Sequence, residues 1–243
     1  MFGVRCFCLL LLSFNLINGL HPPSYIKPCS LSDPNLNDCA LKSGIEALPH
    51  LLEGDKKYGI QTLNPYYVDL IEVNQGDLKV NLKKPVTTGL EKVTLKAVKI
   101  DTETKKMSIN TLFHNIVVTG NYEISGKILI LPIEGQGKLN ITVVNGLFTY
   151  EFTIAKEIKN GVEYAKVTND ILLMDIERVF FNFENLFNGD KILGDQINKF
   201  LNENWQDVLN EAGGAAIEVL KGACKNSLNG LFLKVPYNEL FLQ

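Results

Sequence analysis

The chain has 243 residues, 46% of them apolar, with 24 basic side chains against 27 acidic ones and a formal charge of −3. That length suits one large domain or two small ones. Nearly all the basic residues are Lys, and Arg5 and Arg178 are the only arginines; a chain so poor in planar, bidentate forks is not built to grip phosphates, so nucleic acid is excluded as a partner.

The predicted elements begin with a leader. "MFGVRCFCLLLLSFNLING" has a positive start at Arg5, an apolar run from Cys6 to Leu12 and a small residue at Gly19. This is the layout of a secretory signal peptide over residues 1–19, with cleavage near Gly19 or Leu20, and its apolar core is too short for a permanent membrane span. Removing it takes Arg5 away, shifts the formal charge to about −4 and leaves a mature chain at 20–243. No later segment has the length of a spanning helix, so the mature chain is expected to be extracellular, without stable membrane insertion. Cysteine usage agrees: Cys6 and Cys8 leave with the leader, and Cys29 and Cys39 flank the turn-rich "SLSDPNLND", so that a bridge between them is expected to stabilise by about 2–3 kcal/mol. Cys224 then reads either as an intermolecular or reactive thiol or as a small buried hydrophobe.

After Cys39, Leu41, Ile45, Leu48 and Leu52 recur at helical spacing, with Asp38 as a cap and Pro49 expected to kink or end the helix. "YGIQTLNPYY" is a punctuated link. From about Val68 to Phe183 the period becomes two: "LKVNL", "MSINTLF" and "FTYEFTI" each alternate, as half-buried antiparallel strands do, and "TTG", "DTETKK", "VTGN", "GQG" and "KNG" read as turns. The apolar ribbon "ISGKILILPIEGQGKLNITV", Ile124 to Val143, is expected to be a hairpin bent at Gly135-Gln136-Gly137. Asn140 in "NIT" is a glycosylation sequon. Helical spacing returns at Leu193, Ile197, Leu201, Trp205, Val208, Ala212, Ala215 and Val219, with Asp190 as N-cap and a possible kink at Gly213-Gly214. A helix from about Lys191 to Ala223 would be roughly 50 Å long, so a sheet has to wrap along it. Asn229-Gly230 reads as a turn before an extended apolar tail. The expected fold class is therefore α+β, with a highly curved antiparallel sheet around a long C-terminal helix, and an incomplete fit between them leaves an elongated apolar cavity.

No reactive constellation emerges. G-x-S-x-G, H-E-x-x-H, C-x-x-C and Walker patterns are all missing, and His50 and His114 have no ligand spacing to another His or Cys. Neither a metal nor a cofactor nor catalysis is expected. In "RVFFNFENLF", either Phe180 and Phe183 reach a ligand while Phe181 faces elsewhere, or all three are plain core.

Several segments carry a family pattern. "PCSLSDPNLNDCALKSGIEALPHLLEG", "YGIQTLNPYYVD", "TGNYEISGKILILPIEGQGKLNITV", "NLFNGDKILGDQINKFLNENWQDVL" and "LKVPYNELF" occur in order over nearly the whole mature chain, which resembles the insect takeout and haemolymph juvenile-hormone-binding protein family. The resemblance implies a long helix wrapped by a curved sheet, related to tubular lipid-binding proteins, and non-catalytic carriage of a small hydrophobic molecule in an internal tunnel. The family's Cys pair falls on Cys29 and Cys39. Asn64 stands where the family has Asp before the Pro, and Gly213-Gly214 where relatives often have Pro. Facing then gives the expected wall: Leu193, Ile197, Leu201 and Trp205 on the helix, and Phe113, Tyr122, Ile128, Ile130, Phe148 and Phe152 on the sheet. Tyr122, Tyr150 or Trp205 is placed to meet a polar ligand end. The expected partner is a juvenile-hormone-like terpenoid, fatty acid or polyisoprenoid bound by a secreted monomer. The alternative is an extracellular signalling protein with a reduced cavity and a receptor-facing surface.

Overall fold

The computed structural model describes residues 19–243, so all but the last residue of the expected leader lies outside the described residues. Its organising elements are three very long strands: β6 (Lys106–Ile128), β7 (Leu131–Lys159) and β8 (Val162–Phe183). At about 3.3 Å per residue each spans roughly 70 Å or more. Strands of that length cannot lie flat in a domain of this mass, and their right-handed twist coils them round a core. They form an antiparallel seven-stranded sheet in the order β2-β4-β6-β7-β8. β2 (Tyr66–Tyr67) and β3 (Leu70–Gln75) pair with β4 (Leu78–Thr88), while β5 (Thr94–Asp101) pairs with the other half of β6. The sheet does not close on itself.

Its spine is the helical run α2 (Lys191–Glu203), α3 (Trp205–Ala212) and α4 (Gly214–Phe232). Asp190 caps it, its carboxylate accepting the Leu193 N–H at 3.0 Å. The run is interrupted at Asn204 as well as at Gly213, and it continues past Ala223 to Phe232. Asn229 and Gly230 belong to α4 rather than to a turn. Asn229 Oδ1 accepts the Val167 N–H at 2.9 Å, and a side chain at Gly230 would meet the Tyr58 carbonyl at 2.9 Å. Asn229 therefore ties α4 to β8, and Gly230 lets it approach the turn at Tyr58-Gly59 closely. The tail forms a short α5 (Tyr237–Leu240) and β9 (Phe241–Leu242), which pairs parallel with β1 (Cys29–Ser30).

The open edge of β8 is covered by asparagines one helical turn apart. Asn198 accepts the Phe183 N–H and donates to its carbonyl, both at 2.9 Å; Asn202 does the same for Phe181, at 2.9 and 2.7 Å. Two carboxamides thus stand in for a neighbouring strand, because each offers one acceptor and one donor at nearly backbone geometry.

Three local expectations are corrected. The β6–β7 hairpin turns at Leu129-Ile130, with Leu129 at φ 55°, and Gly135 and Gly137 lie within the ladder opposite Ile124 and Tyr122. Those glycines allow a close crossing: a Cβ at Gly137 would sit 2.4 Å from the Glu184 carbonyl, and one at Gly135 2.9 Å from Leu186 Cα. "VTGN" likewise lies inside β6. Helix α1 (Leu36–Glu53) runs through Pro49, starts at Asn35 rather than Asp38, and exposes Ile45. It packs instead on a small-residue face, with Ala47 buried and Gly44 against Leu95, because a flat face approaches β5 more closely. Cys29 and Cys39 are bridged, with Cα atoms 6.1 Å apart, and the bridge ties β1 to α1.

Candidate ligand-binding cavity

The strand alternation changes phase partway along the sheet. In β6 the inward residues are odd-numbered from Met107 to Phe113 and even-numbered from Ile116 to Ile124. In β7 they are odd-numbered at Leu139, Ile141 and Val143 and even-numbered from Phe148 to Ile154. The break falls at His114 and Asn145, the latter at φ 47°, with Asn145 donating to Glu177 on β8 at 2.8 Å. The two halves of the sheet thus present separate concave apolar faces to the helical spine.

Each half leaves a void. The first, about 190 Å³, lies between α3, the start of α4 and the β3-β4-β6-β7-β8 wall; it is lined by aliphatic side chains such as Val80, Ile124, Val179, Leu201 and Val208. The second, about 260 Å³, lies between α1, β5, β6 and the end of α4, and is lined by residues including Leu51, Val98, Ile109 and Leu231. Between them Phe113 and Phe148 meet at 4.9 Å, within a cluster that includes Leu172 and Leu220.

The expected wall residues divide accordingly. Ile128, Phe148 and Leu201 line the first void, and Phe152 lines the second. Phe113 packs in the partition. Tyr122 and Ile197 are buried in the core cluster behind the first void, and Trp205 packs against it. Ile130 and Leu193 are corrected outright: Ile130 is 81% exposed because it occupies the hairpin turn, and Leu193 is 44% exposed on the first turn of α2. Phe180 is also exposed, beneath the Arg178 guanidinium at 5.0 Å, while Phe181 and Phe183 both face the first void, so Phe180 and Phe181 take the opposite sides from a split that groups Phe180 with Phe183.

Two of the three polar groups expected at a ligand end, Tyr122 and Tyr150, are engaged with protein. Tyr122 donates to the Glu184 carbonyl at 2.7 Å, and burial pushes its phenol up to about 12. Tyr150 donates to Asp170 at 3.1 Å, and burial, followed by the Asp170 charge, raises its phenol far above the usual range. Asp170 itself, turned inward beside Asn169 (φ 48°), accepts from Lys225 of α4 at 2.6 Å. Burial alone would raise that carboxyl, but hydrogen bonds from Lys225 and Tyr150 outweigh it and hold it below 3.8. Arg178 donates to the Asn202 carbonyl at 2.7 Å and lies 5.9 Å from the Trp205 ring. Cys224 is a free, half-buried thiol, and burial pushes it up to about 11. Such a thiol is poorly ionised and fits the packing role. His50 stacks on Tyr25 at 4.7 Å, and no group of His, Cys, Asp or Glu among the described residues is arranged to hold a metal. No helix among them is long and apolar enough to cross a membrane.

Sequence reasoning missed Thr87, a buried polar residue on the wall of the first void. Its inward direction follows a register shift between Lys83 and Val86, with Lys84 at φ 47°, which plain alternation does not reveal.

A long helix wrapped by an unclosed sheet over apolar voids has counterparts among known proteins. A family model described as "Haemolymph juvenile hormone binding protein (JHBP)" matches residues 6–242. The Circadian clock-controlled protein daywake of Drosophila melanogaster is 26% identical over 232 residues, covering 90% of this chain and 88% of that protein, and its Drosophila yakuba counterpart is 25% identical over the same shares. The crystal structure of Epiphyas postvittana Takeout 1 superposes with a TM-score of 0.79 at 27% identity, covering 90% of this chain and all of that one.

Proposed function

The chain belongs to the haemolymph juvenile hormone binding protein family, and from that premise we propose that it is a secreted, non-catalytic, monomeric carrier of a small hydrophobic molecule such as a terpenoid, a fatty acid or a polyisoprenoid. The observation that carries the reading is the first void: about 190 Å³, lined almost wholly by apolar side chains from both the sheet and the helical spine, in a fold whose family binds small hydrophobic ligands. The mechanism is desolvation. Removing about 300 Å² of apolar ligand surface from water contributes roughly 7 kcal/mol before the costs of ordering and immobilisation.

Export rests on the leader at residues 1–19 and fits the Cys29–Cys39 bridge, since disulfides persist in oxidising compartments. Asn140 is exposed on the outer face of β7, with the Thr142 hydroxyl 3.1 Å from its side-chain oxygen, which suits an N-linked glycan. A glycosidase-sensitive mass on the exported protein checks that assignment. An outward apolar stripe of Leu147, Ile171 and Leu173 on β7 and β8 suits an extracellular receptor as a further partner. The carrier reading is tested by native mass spectrometry of protein purified from its own source: a bound apolar molecule is expected, and delipidated protein that takes up no terpenoid, fatty acid or polyisoprenoid would overturn it.

A further inference from the structure

The outer face of the sheet sets the Asn140 sequon beside an aromatic ring that the protein leaves bare. Asn140 of β7 is the Cα partner of Asn182 on β8, and Thr142 is the partner of Phe180. Their neighbours in each strand, Leu139, Ile141, Phe181 and Phe183, pack into the core. Alternation therefore sends Asn140, Thr142, Phe180 and Asn182 to the opposite, solvent face. Asn140 and Phe180 are diagonal neighbours there, at a separation of about 7–8 Å that an aromatic side chain spans. Of the phenylalanines in the described residues only Phe180 is exposed, at 48%. Its ring is steadied by the Arg178 guanidinium at 5.0 Å, which is itself anchored on the Asn202 carbonyl. At the sequon, the Asn140 side-chain oxygen accepts from the Thr142 hydroxyl at 3.1 Å. The amide nitrogen, the atom that carries a glycan, has no hydrogen-bond partner among the described residues.

A ring fixed on one side and open on the other suits a flat guest with an apolar face. The first sugar of an N-linked glycan, N-acetylglucosamine, is such a group, because its hydroxyls lie around the pyranose rim and its C–H groups form the faces. Aromatic rings attract these C–H groups through the negative potential of their own faces. Tethering at Asn140 makes the contact intramolecular, so little association entropy opposes it. We propose that Phe180 is the platform for the first N-acetylglucosamine of a glycan on Asn140, with the Asn182 carboxamide beside it, so that the sugar clasps β7 to the edge strand β8. The proposal rests on the reading of Asn140 as glycosylated and gives that glycan a structural role, as a packed part of the outer sheet face.

The test compares exported protein carrying a high-mannose glycan, the same protein trimmed by an endoglycosidase to a single N-acetylglucosamine, and the unmodified chain folded in a bacterial periplasm. Both glycosylated forms melt about 2–4 °C above the unmodified chain, the scale of one aromatic contact in a domain of this size. In Phe180→Ala the three forms melt within about 1 °C of one another, and in Phe180→Tyr the gain returns. A second readout does not depend on melting: ring current from Phe180 moves the N-acetylglucosamine proton resonances of the trimmed protein upfield, and Phe180→Leu returns them to their ordinary positions. A trimmed form no more stable than the unmodified chain, a gain that persists in Phe180→Ala, or unshifted sugar resonances overturns the platform while leaving glycosylation at Asn140 intact. Exported protein with no glycosidase-sensitive mass on Asn140 overturns the glycosylation reading and this proposal with it.

Discussion

Replacing Asn202 by Ala tests how the sheet edge is sealed. The substitution removes the acceptor for the Phe181 N–H (2.9 Å) and the donor to the Phe181 carbonyl (2.7 Å). α2 stays in place above that edge, and Phe181 is only 9% exposed, so water does not simply replace the lost amide. Each buried backbone group left unmatched costs about 1–3 kcal/mol, and partial wetting brings the pair to about 3 kcal/mol. For a domain of this size that is a fall in Tm of about 6–12 °C. Urea unfolding followed by circular dichroism gives the free energy, and hydrogen exchange gives the location, since the amides of Phe181 and Phe183 should lose protection first. Asn202→Asp is a sharper control, because a carboxylate still accepts from the N–H but repels the carbonyl. It should cost more than Ala at neutral pH and recover part of the loss as acid protonates it. A loss below about 0.5 kcal/mol for Asn202→Ala, within the range of ordinary surface substitutions, would refute the edge-strand mimicry.

Asp170 supplies a pH prediction. Its folded pKa is depressed, so its stabilisation is present above the ordinary value of 3.8 and is lost as pH falls through the lower, folded one. Lys225→Met should remove much of that acid-limb dependence and cost about 2 kcal/mol at neutral pH, less than a fully buried pair because Lys225 keeps 38% of its side-chain surface; an unchanged acid limb would contradict the assignment. Cys39→Ser should lower stability by about 2–3 kcal/mol, the chain-entropy value for a loop of this length, read as a shift in urea midpoint. No shift would mean that α1 is held by packing alone.

The sequence conveyed the sheet and the spine better than the details of the void. Period-two runs such as "FTYEFTI" identify strands because one face is buried and the other wet. Turn chemistry misled at the central hairpin. Gly135 and Gly137 looked like a bend, yet they are small because the chain at Glu184 to Leu186 crosses them, while bulky Leu129 and Ile130 make the turn. That error placed Ile130 on the wall. The phase change at His114 and Asn145 was equally hidden, since alternation on either side looks continuous until the strands are paired. Facing along α2 and α3 did locate Leu201 at the first void, but it could not say that Leu193, on the first turn of α2, stays 44% exposed. Thr87 was lost to the bulge before it, and Asn198 and Asn202 looked like an ordinary polar helix face because their partner is backbone.

The account rests on an accessible apolar void between spine and sheet. The direct test is a saturation titration with a fluorescent apolar probe on wild type and on Ala212→Phe, which adds a phenyl ring from α3 into a void of about 190 Å³. Saturable binding to the wild type, weakened at least about tenfold in the variant while its Tm falls by only a few degrees, is the expected result. Equal binding by both proteins would place the guest elsewhere, and no saturable binding to the wild type would contradict the carrier outright.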